Sequence, residues 1–248
     1  MFSVKNKLAL VTGSNRGLGL ALASGLYKAG ARVVVHGRDE EKTLAAAKEL
    51  GSDLHLSFDV KDAIIAQEAL EAFMAKHGCI DILVNNAGMQ KRYPVQDFPA
   101  QEWDDLIATN LSSAFYVSKV VAAAMIKRNA GGKIIMIGSV QSRLARQTIA
   151  PYSASKGGIA MLAQGMTADL ARFNIQVNTL SPGYFATDMN EALWKDKDFD
   201  AWLRARTPAA RWGKVEELVG TLLYLSSSAS DFVSGQNILV DGGMSAVV

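Results

Sequence analysis

Tyr152 and Lys156 stand four residues apart in the run Tyr152-Ser153-Ala154-Ser155-Lys156, a spacing that on a helix stacks the phenol and the ammonium on one face. A tyrosine with an ordinary pKa of about 10 is a poor base at neutral pH, and a nearby cation favours its phenolate. The pair therefore reads as a proton donor and acceptor for a carbonyl or alcohol oxygen. Ser139, at the tip of an apolar run upstream, can hydrogen-bond the same oxygen and stabilise charge developing there. Taken alone, a tyrosine four residues before a lysine is common on helices and usually structural. What precedes the pair gives it meaning.

Near the start of the chain, Thr12-Gly13-Ser14-Asn15-Arg16-Gly17-Leu18-Gly19 joins an apolar run to an apolar helical pattern. Glycines at such a turn let backbone approach a pyrophosphate, and the helix N-terminus offers the positive end an anion needs. The spacing is GxxxGxG rather than the commoner GxGxxG, so by this motif alone a structural tight turn stays open. The second apolar run ends His36-Gly37-Arg38, with no acid where an NAD site places one against the ribose hydroxyls. Arg38 offers a guanidinium to a 2′-phosphate and Arg16 reaches the same corner, which points to NADP(H) ahead of NAD(H). The alternative for Arg38 is an ordinary solvated arginine.

Asp39 reads as a helix cap rather than a ribose ligand. Asp59-Val60 falls along the adenine edge, with Asp59 either contacting the exocyclic amine or capping a helix. Asn85-Asn86-Ala87-Gly88 puts small residues where the nicotinamide half of a cofactor must pass.

The elements that must position these groups are legible as alternation. Short β-branched runs at 8–12, 32–36, 54–58, 81–85, 133–137, 175–180 and 237–241 are separated by longer helical patterns such as Asp39 to Leu50. Alternation of this kind means a parallel sheet, and near-continuous apolar runs mean helices on both faces. The expected fold class is α/β, a Rossmann-like doubly wound sheet of seven strands forming one dinucleotide-binding domain over 1–248. Pro182 to Gly213 interrupts the alternation as an irregular stretch, so a substrate lid is expected at about 183–213. In that stretch Trp194, Trp202 and Trp212 read as packing anchors, and Arg211 as a brace between lid and body.

Composition narrows the function classes. The 248 residues include 49% apolar and 20% charged side chains and five prolines, a soluble globular balance. A net charge of +2 from 26 basic and 24 acidic residues, spread along the chain, leaves no basic footprint for nucleic acid or anionic membrane. Apolar stretches such as Val117 to Met125 are short of the roughly 20 residues of a membrane helix. The N-terminus lacks the apolar core of a signal peptide, and the lone Cys79 reads as an inert half-buried thiol, so a cytoplasmic protein is expected. His36, His55 and His77 show no metal or triad spacing, and no metal site is expected.

TGSNRGLG, NNAG, Asn110, Ser139, YSASK and Pro182-Gly183 with Thr187 together resemble the short-chain dehydrogenase/reductase family, over essentially the whole chain. The resemblance implies that Tyr152 is the catalytic acid/base and that Lys156 lowers its pKa and binds the nicotinamide ribose. It implies that Ser139 orients the substrate and that Asn110 holds a water linking Lys156 to solvent. It also implies cofactor contacts from Gly13, Ser14, Asn15, Arg16, Gly17, Leu18, Gly19, Gly37, Arg38, Asp59, Val60, Asn86, Ala87, Gly88, Asn110, Tyr152 and Lys156. Pro182, Gly183, Phe185 and Thr187 would lie along the nicotinamide carboxamide, and a homotetramer is expected.

The stretches GMQKRYPVQDFPAQEWDDLIATN, SVQSRLARQTIAPYSASKG and RTPAARWG look like the family's gluconate 5-dehydrogenases, which use NADP(H). They also resemble its deoxygluconate dehydrogenases and, more distantly, its 3-oxoacyl carrier-protein reductases. A sugar acid carries a carboxylate, and Arg92 and Arg146 flank the expected pocket, joined by Ser139, Gln141 and Tyr152 as substrate-binding residues. Either arginine can alternatively be a surface or subunit-interface residue. The competing non-enzyme reading is a dinucleotide sensor that has lost its chemistry; such proteins usually lack one of Ser139, Tyr152 or Lys156.

Overall fold

The structure, a computed structural model, describes residues 1–187 and 190–248. Seven parallel strands, β1 (Leu8–Val11), β2 (Arg32–Gly37), β3 (Leu54–Ser57), β4 (Ile82–Asn85), β5 (Gly132–Ile137), β6 (Ile175–Pro182) and β7 (Asn237–Val240), form one sheet in the order β3-β2-β1-β4-β5-β6-β7. The winding reverses between β1 and β4, which opens a crevice at their carboxyl ends.

Alternate residues of each strand feed opposite layers. Leu10, Val34, Leu83, Ile134 and Val177 pack beneath α3 (Ala63–His77), α5 (Ser113–Arg128) and α6 (Ala150–Leu170). Ala9, Val11, Val33, Ile82 and Val84 pack beneath α1 (Gly17–Lys28) and α9 (Val219–Ser226). Both faces of the central strands β1, β4, β5 and β6 are buried, which is why those strands read as unbroken apolar runs. Truncating a central residue such as the fully buried Leu83 to alanine would cost about 2–5 kcal/mol.

Helix α2 (Glu40–Leu50) starts where Asp39 accepts from the Lys42 amide at 3.0 Å, as the sequence suggests. Asp59 does not cap a helix. It accepts from the Lys61 amide at 3.0 Å and stands 3.8 Å from Arg38, while Asp62 caps α3.

Between β4 and β5 the chain runs through α4 (Ala100–Ile107), one π-helical turn (Ala108–Ser112) and α5 without a break. This Ala100–Arg128 run is 29 residues long with a stretch of mean hydropathy 1.3, enough by length and composition to cross a membrane. Lys119 and polar residues interrupt the run, so only shorter apolar stretches are legible in the sequence. In the fold, the run spends its apolar stripe of Ala114, Val117, Val121 and Met125 on the sheet.

Pro182 to Gly213 is more regular than expected: it holds α7 (Glu191–Trp194) and α8 (Lys197–Arg206), the latter capped by Asp196. A parallel bridge between Phe185 and Gly213 closes the segment at its base. Trp212 is its buried anchor, 8% exposed and donating to Asp200 at 2.7 Å; Trp202 packs its ring against Phe199 and Tyr184 with its outer side exposed, and Trp194 is exposed. Arg211 holds Glu217 with two hydrogen bonds of 2.7 and 2.8 Å, tying this segment to the turn that leads into α9.

Candidate active site

The crevice at the carboxyl ends of β1 and β4 is a cleft of about 860 Å³. At one end lies the glycine loop. Gly17 has φ +55°, a left-handed backbone that favours glycine, and a Cβ there would meet nothing within 4 Å, so the loop faces open space. Gly19 is required by close approach instead, since its Cβ would fall 2.3 Å from the Gly13 carbonyl oxygen. Asn86, after β4, secures the loop from its other side by donating from Nδ2 to the Thr12 and Gly13 carbonyls at 2.9 and 3.2 Å. Thr12 reciprocates, its hydroxyl accepting from the amides of Asn86 and Ala87 at 3.0 Å each.

This cradle of backbone fits the pyrophosphate of a dinucleotide. Arg16 and Arg38 stand at its outer corner, and both line the cleft with Gly37, Asp59 and Val60. No carboxylate ends β2, so the corner suits a 2′-phosphate better than a free ribose diol.

At the other end, β5 delivers Ser139 and α6 delivers Tyr152 and Lys156. The Ser139 hydroxyl oxygen accepts from the Gln141 amide at 3.1 Å, which leaves its proton free to donate into the cleft. Ser142 fixes the junction of the two elements by donating to the Lys156 carbonyl at 2.8 Å. Lys156 is buried, its ammonium donates to the Ile137 carbonyl at 2.7 Å, and desolvation pulls its pKa down to about 8.

The phenol of Tyr152 departs from the sequence expectation. Burial pushes its pKa up, hydrogen bonding with Ser139 pulls it back, and the neighbouring Tyr184 raises it further. The Lys156 ammonium stands 5.7 Å from the Tyr152 ring centre. Protein groups alone thus hold the phenol protonated, in the form that donates to a carbonyl oxygen.

Asn110 sits in the π turn, 2% exposed, where it accepts from the Met89 amide at 2.8 Å and donates to the Met89 carbonyl and the Ser155 hydroxyl at 2.9 and 3.1 Å. It braces the backbone beneath the cleft rather than lining it. Ser14 is likewise withdrawn, fully buried and turned toward β2. The other residues expected at cofactor or substrate, among them Asn15, Leu18, Ala87, Gly88, Pro182, Gly183, Phe185 and Thr187, all line the cleft.

Arg92 and Arg146 reach the cleft beyond Tyr152, close enough that partial burial and then the charge of Arg146 lower the pKa of Arg92. Arg146 lies over the Phe199 ring at 5.1 Å, and its Nε is buried without a partner among the described residues, as is Gln141 Oε1. Tyr184, which sequence reasoning missed, joins this cluster: burial raises its pKa, while Arg146 and Arg92 lower it. Two cations, an unpartnered Arg146 Nε–H donor and an unpartnered Gln141 Oε1 acceptor beside a proton donor can hold an anionic, hydroxylated molecule with one of its carbons over Tyr152.

Comparisons with known proteins agree with this geometry. Residues 13–245 match a family model described as enoyl-(acyl carrier protein) reductase. The chain is 49% identical over 248 residues to gluconate 5-dehydrogenase of Gluconobacter oxydans, covering 98% of this chain and 96% of that relative. It is 47% identical over 252 residues to 5-keto-D-gluconate 5-reductase of Escherichia coli, covering 100% and 99%. Among solved structures, a gluconate 5-dehydrogenase from Burkholderia cenocepacia in complex with NADP and tartrate superposes with a TM-score of 0.97 at 50% identity, covering 100% of this chain and 98% of that one.

Proposed function

The chain belongs to the short-chain dehydrogenase/reductase family, and from that membership we propose that it is an NADP(H)-dependent oxidoreductase interconverting D-gluconate and 5-keto-D-gluconate. When bound, the nicotinamide gives or takes the hydride at the reacting carbon. Tyr152 gives its phenolic proton to the oxygen in reduction and regains it from the alcohol in oxidation. Ser139 donates to the same oxygen and holds it beside the phenol. Lys156, anchored on the Ile137 carbonyl, sits where the nicotinamide ribose passes, and Asn110 keeps that corner of the cleft in register and serves the proton path from Lys156. The glycine loop and Asn86 carry the pyrophosphate, and Arg16 and Arg38 the 2′-phosphate.

The observation that carries the substrate reading is the pairing of Arg92 and Arg146. Two guanidiniums that disfavour one another in the same cleft gain most from an anion between them, which a sugar acid supplies as its carboxylate. Residues 183–213 then act as a lid, with Phe199 of α8 under Arg146 linking lid position to carboxylate binding. The family reading also carries a cytoplasmic homotetramer, for which exposed Phe115 on α5 and Met161 on α6 offer self-associating apolar surface.

Oxidation of NADPH with 5-keto-D-gluconate, run beside the 5-keto form of 2-dehydro-3-deoxygluconate and acetoacetyl thioesters, tests the assignment. Preferred turnover of the 5-keto acid is expected, with KM rising at least about tenfold in Arg146→Ala. No turnover of any sugar ketoacid overturns the reading.

A further inference from the structure

We propose that His36 is a positioning residue for the cofactor-binding loop: it supplies the β2 half of a clamp, opposite Asn86, that fixes the two peptide groups flanking Gly13. The inference rests on the reading that this loop carries a dinucleotide.

The first of those peptides joins Thr12 to Gly13. Its carbonyl accepts from Asn86 Nδ2 at 2.9 Å, and its N–H, on the opposite edge, donates to His36 Nδ1 at 3.1 Å. The second joins Gly13 to Ser14. Its carbonyl accepts from the same Asn86 amide at 3.2 Å, and its N–H donates to the His36 carbonyl at 2.8 Å. A third bond runs back, from the His36 amide to the Ser14 hydroxyl at 3.0 Å.

Both planes are therefore held at both edges, one side from β4 and the other from β2. Gly13 has φ +64°, a conformation open to glycine but not enforced by it, so restraint must come from neighbours. Without the imidazole acceptor, the half-buried Gly13 N–H would lose its protein partner and that edge of the peptide would be left unrestrained. Rotation there would turn the amides that follow away from the pyrophosphate.

The environment of His36 suits an acceptor. The ring is 1% exposed, packs edge-on to Phe58 with centroids 4.3 Å apart, and is kept neutral by desolvation, which outweighs the opposing influence of the Phe58 backbone and Asp59. With Nδ1 accepting, the proton resides on Nε2, which is buried without a partner among the described residues. An aliphatic side chain would fill this space but leave the Gly13 N–H without its acceptor, so packing alone does not account for an imidazole here.

His36→Leu and His36→Asn separate the roles, because Asn Oδ1 can stand in for Nδ1 whereas leucine only fills the volume. NADPH affinity, read by fluorescence titration, is expected to fall about tenfold in the leucine variant, with kcat at saturating NADPH within about twofold of the parent. The asparagine variant is expected to return to within about threefold. Leucine binding NADPH as the parent does, or asparagine binding as weakly as leucine, overturns the proposal. A measurement on the unmodified protein is independent of how the variants fold: imidazole ¹⁵N shifts should show the Nε2–H tautomer, and an Nδ1–H tautomer overturns it. Failure of the parent itself to bind NADPH would instead overturn the dinucleotide reading.

Discussion

Lys156 donates its buried ammonium to the backbone carbonyl of Ile137 at 2.7 Å, locking the seventh residue of α6 onto the last residue of β5. The contact orients the lysine by main chain, so its place does not depend on the phenol one helical turn earlier. The lysine thus occupies a station fixed by the sheet, one helical turn from Tyr152.

Tyr152→Phe removes only the proton that the phenol exchanges. Turnover is expected to fall by roughly 10³-fold or more, while NADPH still binds with close to parental affinity by fluorescence. A variant that retains turnover would place the acid/base elsewhere.

Arg16 and Arg38 stand at the corner of the cleft with no acid at the end of β2. Combining Arg38→Asp with Arg16→Ala removes both guanidiniums and adds a ribose acceptor. The ratio of kcat/KM for NADPH over NADH is expected to drop on the order of 100-fold, measured by initial rates with each cofactor.

Gly19→Ala places a methyl 2.3 Å from the Gly13 carbonyl oxygen and 2.4 Å from Asn86 Nδ2. The clamp must give, and NADPH binding is expected to weaken at least about tenfold with a loss of about 1–3 kcal/mol in stability, read by titration and thermal melting.

The pKa of His36 is lowered from 6.5 to about 4 by burial. The unfolded chain therefore takes up this proton more readily than the folded one. The folded state keeps its full stability above about pH 6.5 and loses it as pH falls from there through about 4, by up to about 3 kcal/mol. Melting curves across that interval should fall more steeply for the parent than for His36→Asn, and parallel curves would remove His36 as the cause.

How far the sequence discloses this molecule depends on the range of the interactions involved. β1 to β7 are legible to within about two residues because burial on both faces writes itself into consecutive residues. The glycine loop and the Tyr152–Lys156 spacing are local and equally plain. His36 is not, since its partner Gly13 lies 23 residues away and only the pairing of β1 with β2 brings them together. Ser14 illustrates the converse: its position among loop glycines suggests the cofactor, but which way a side chain leaves such a loop is set by the strand behind it. The helices inside 183–213 were hidden by short length and by a tryptophan pattern that reads as anchoring throughout. Tyr184 gives no signal of its own, because its neighbours Arg92 and Arg146 come from two other loops.

The π turn at Ala108–Ser112 carries one residue more than an α-helical turn would hold, and that surplus sets the phase of everything downstream. Deleting a single residue there would rotate α5 by about 100° about its axis, swinging Val117, Val121 and Met125 off the sheet. Keeping the helix in place would instead require Asn110 to leave Met89 and Ser155. The hydrophobic layer and the floor of the cleft are thereby geared to one another, so that drift in either would have to be matched by the other.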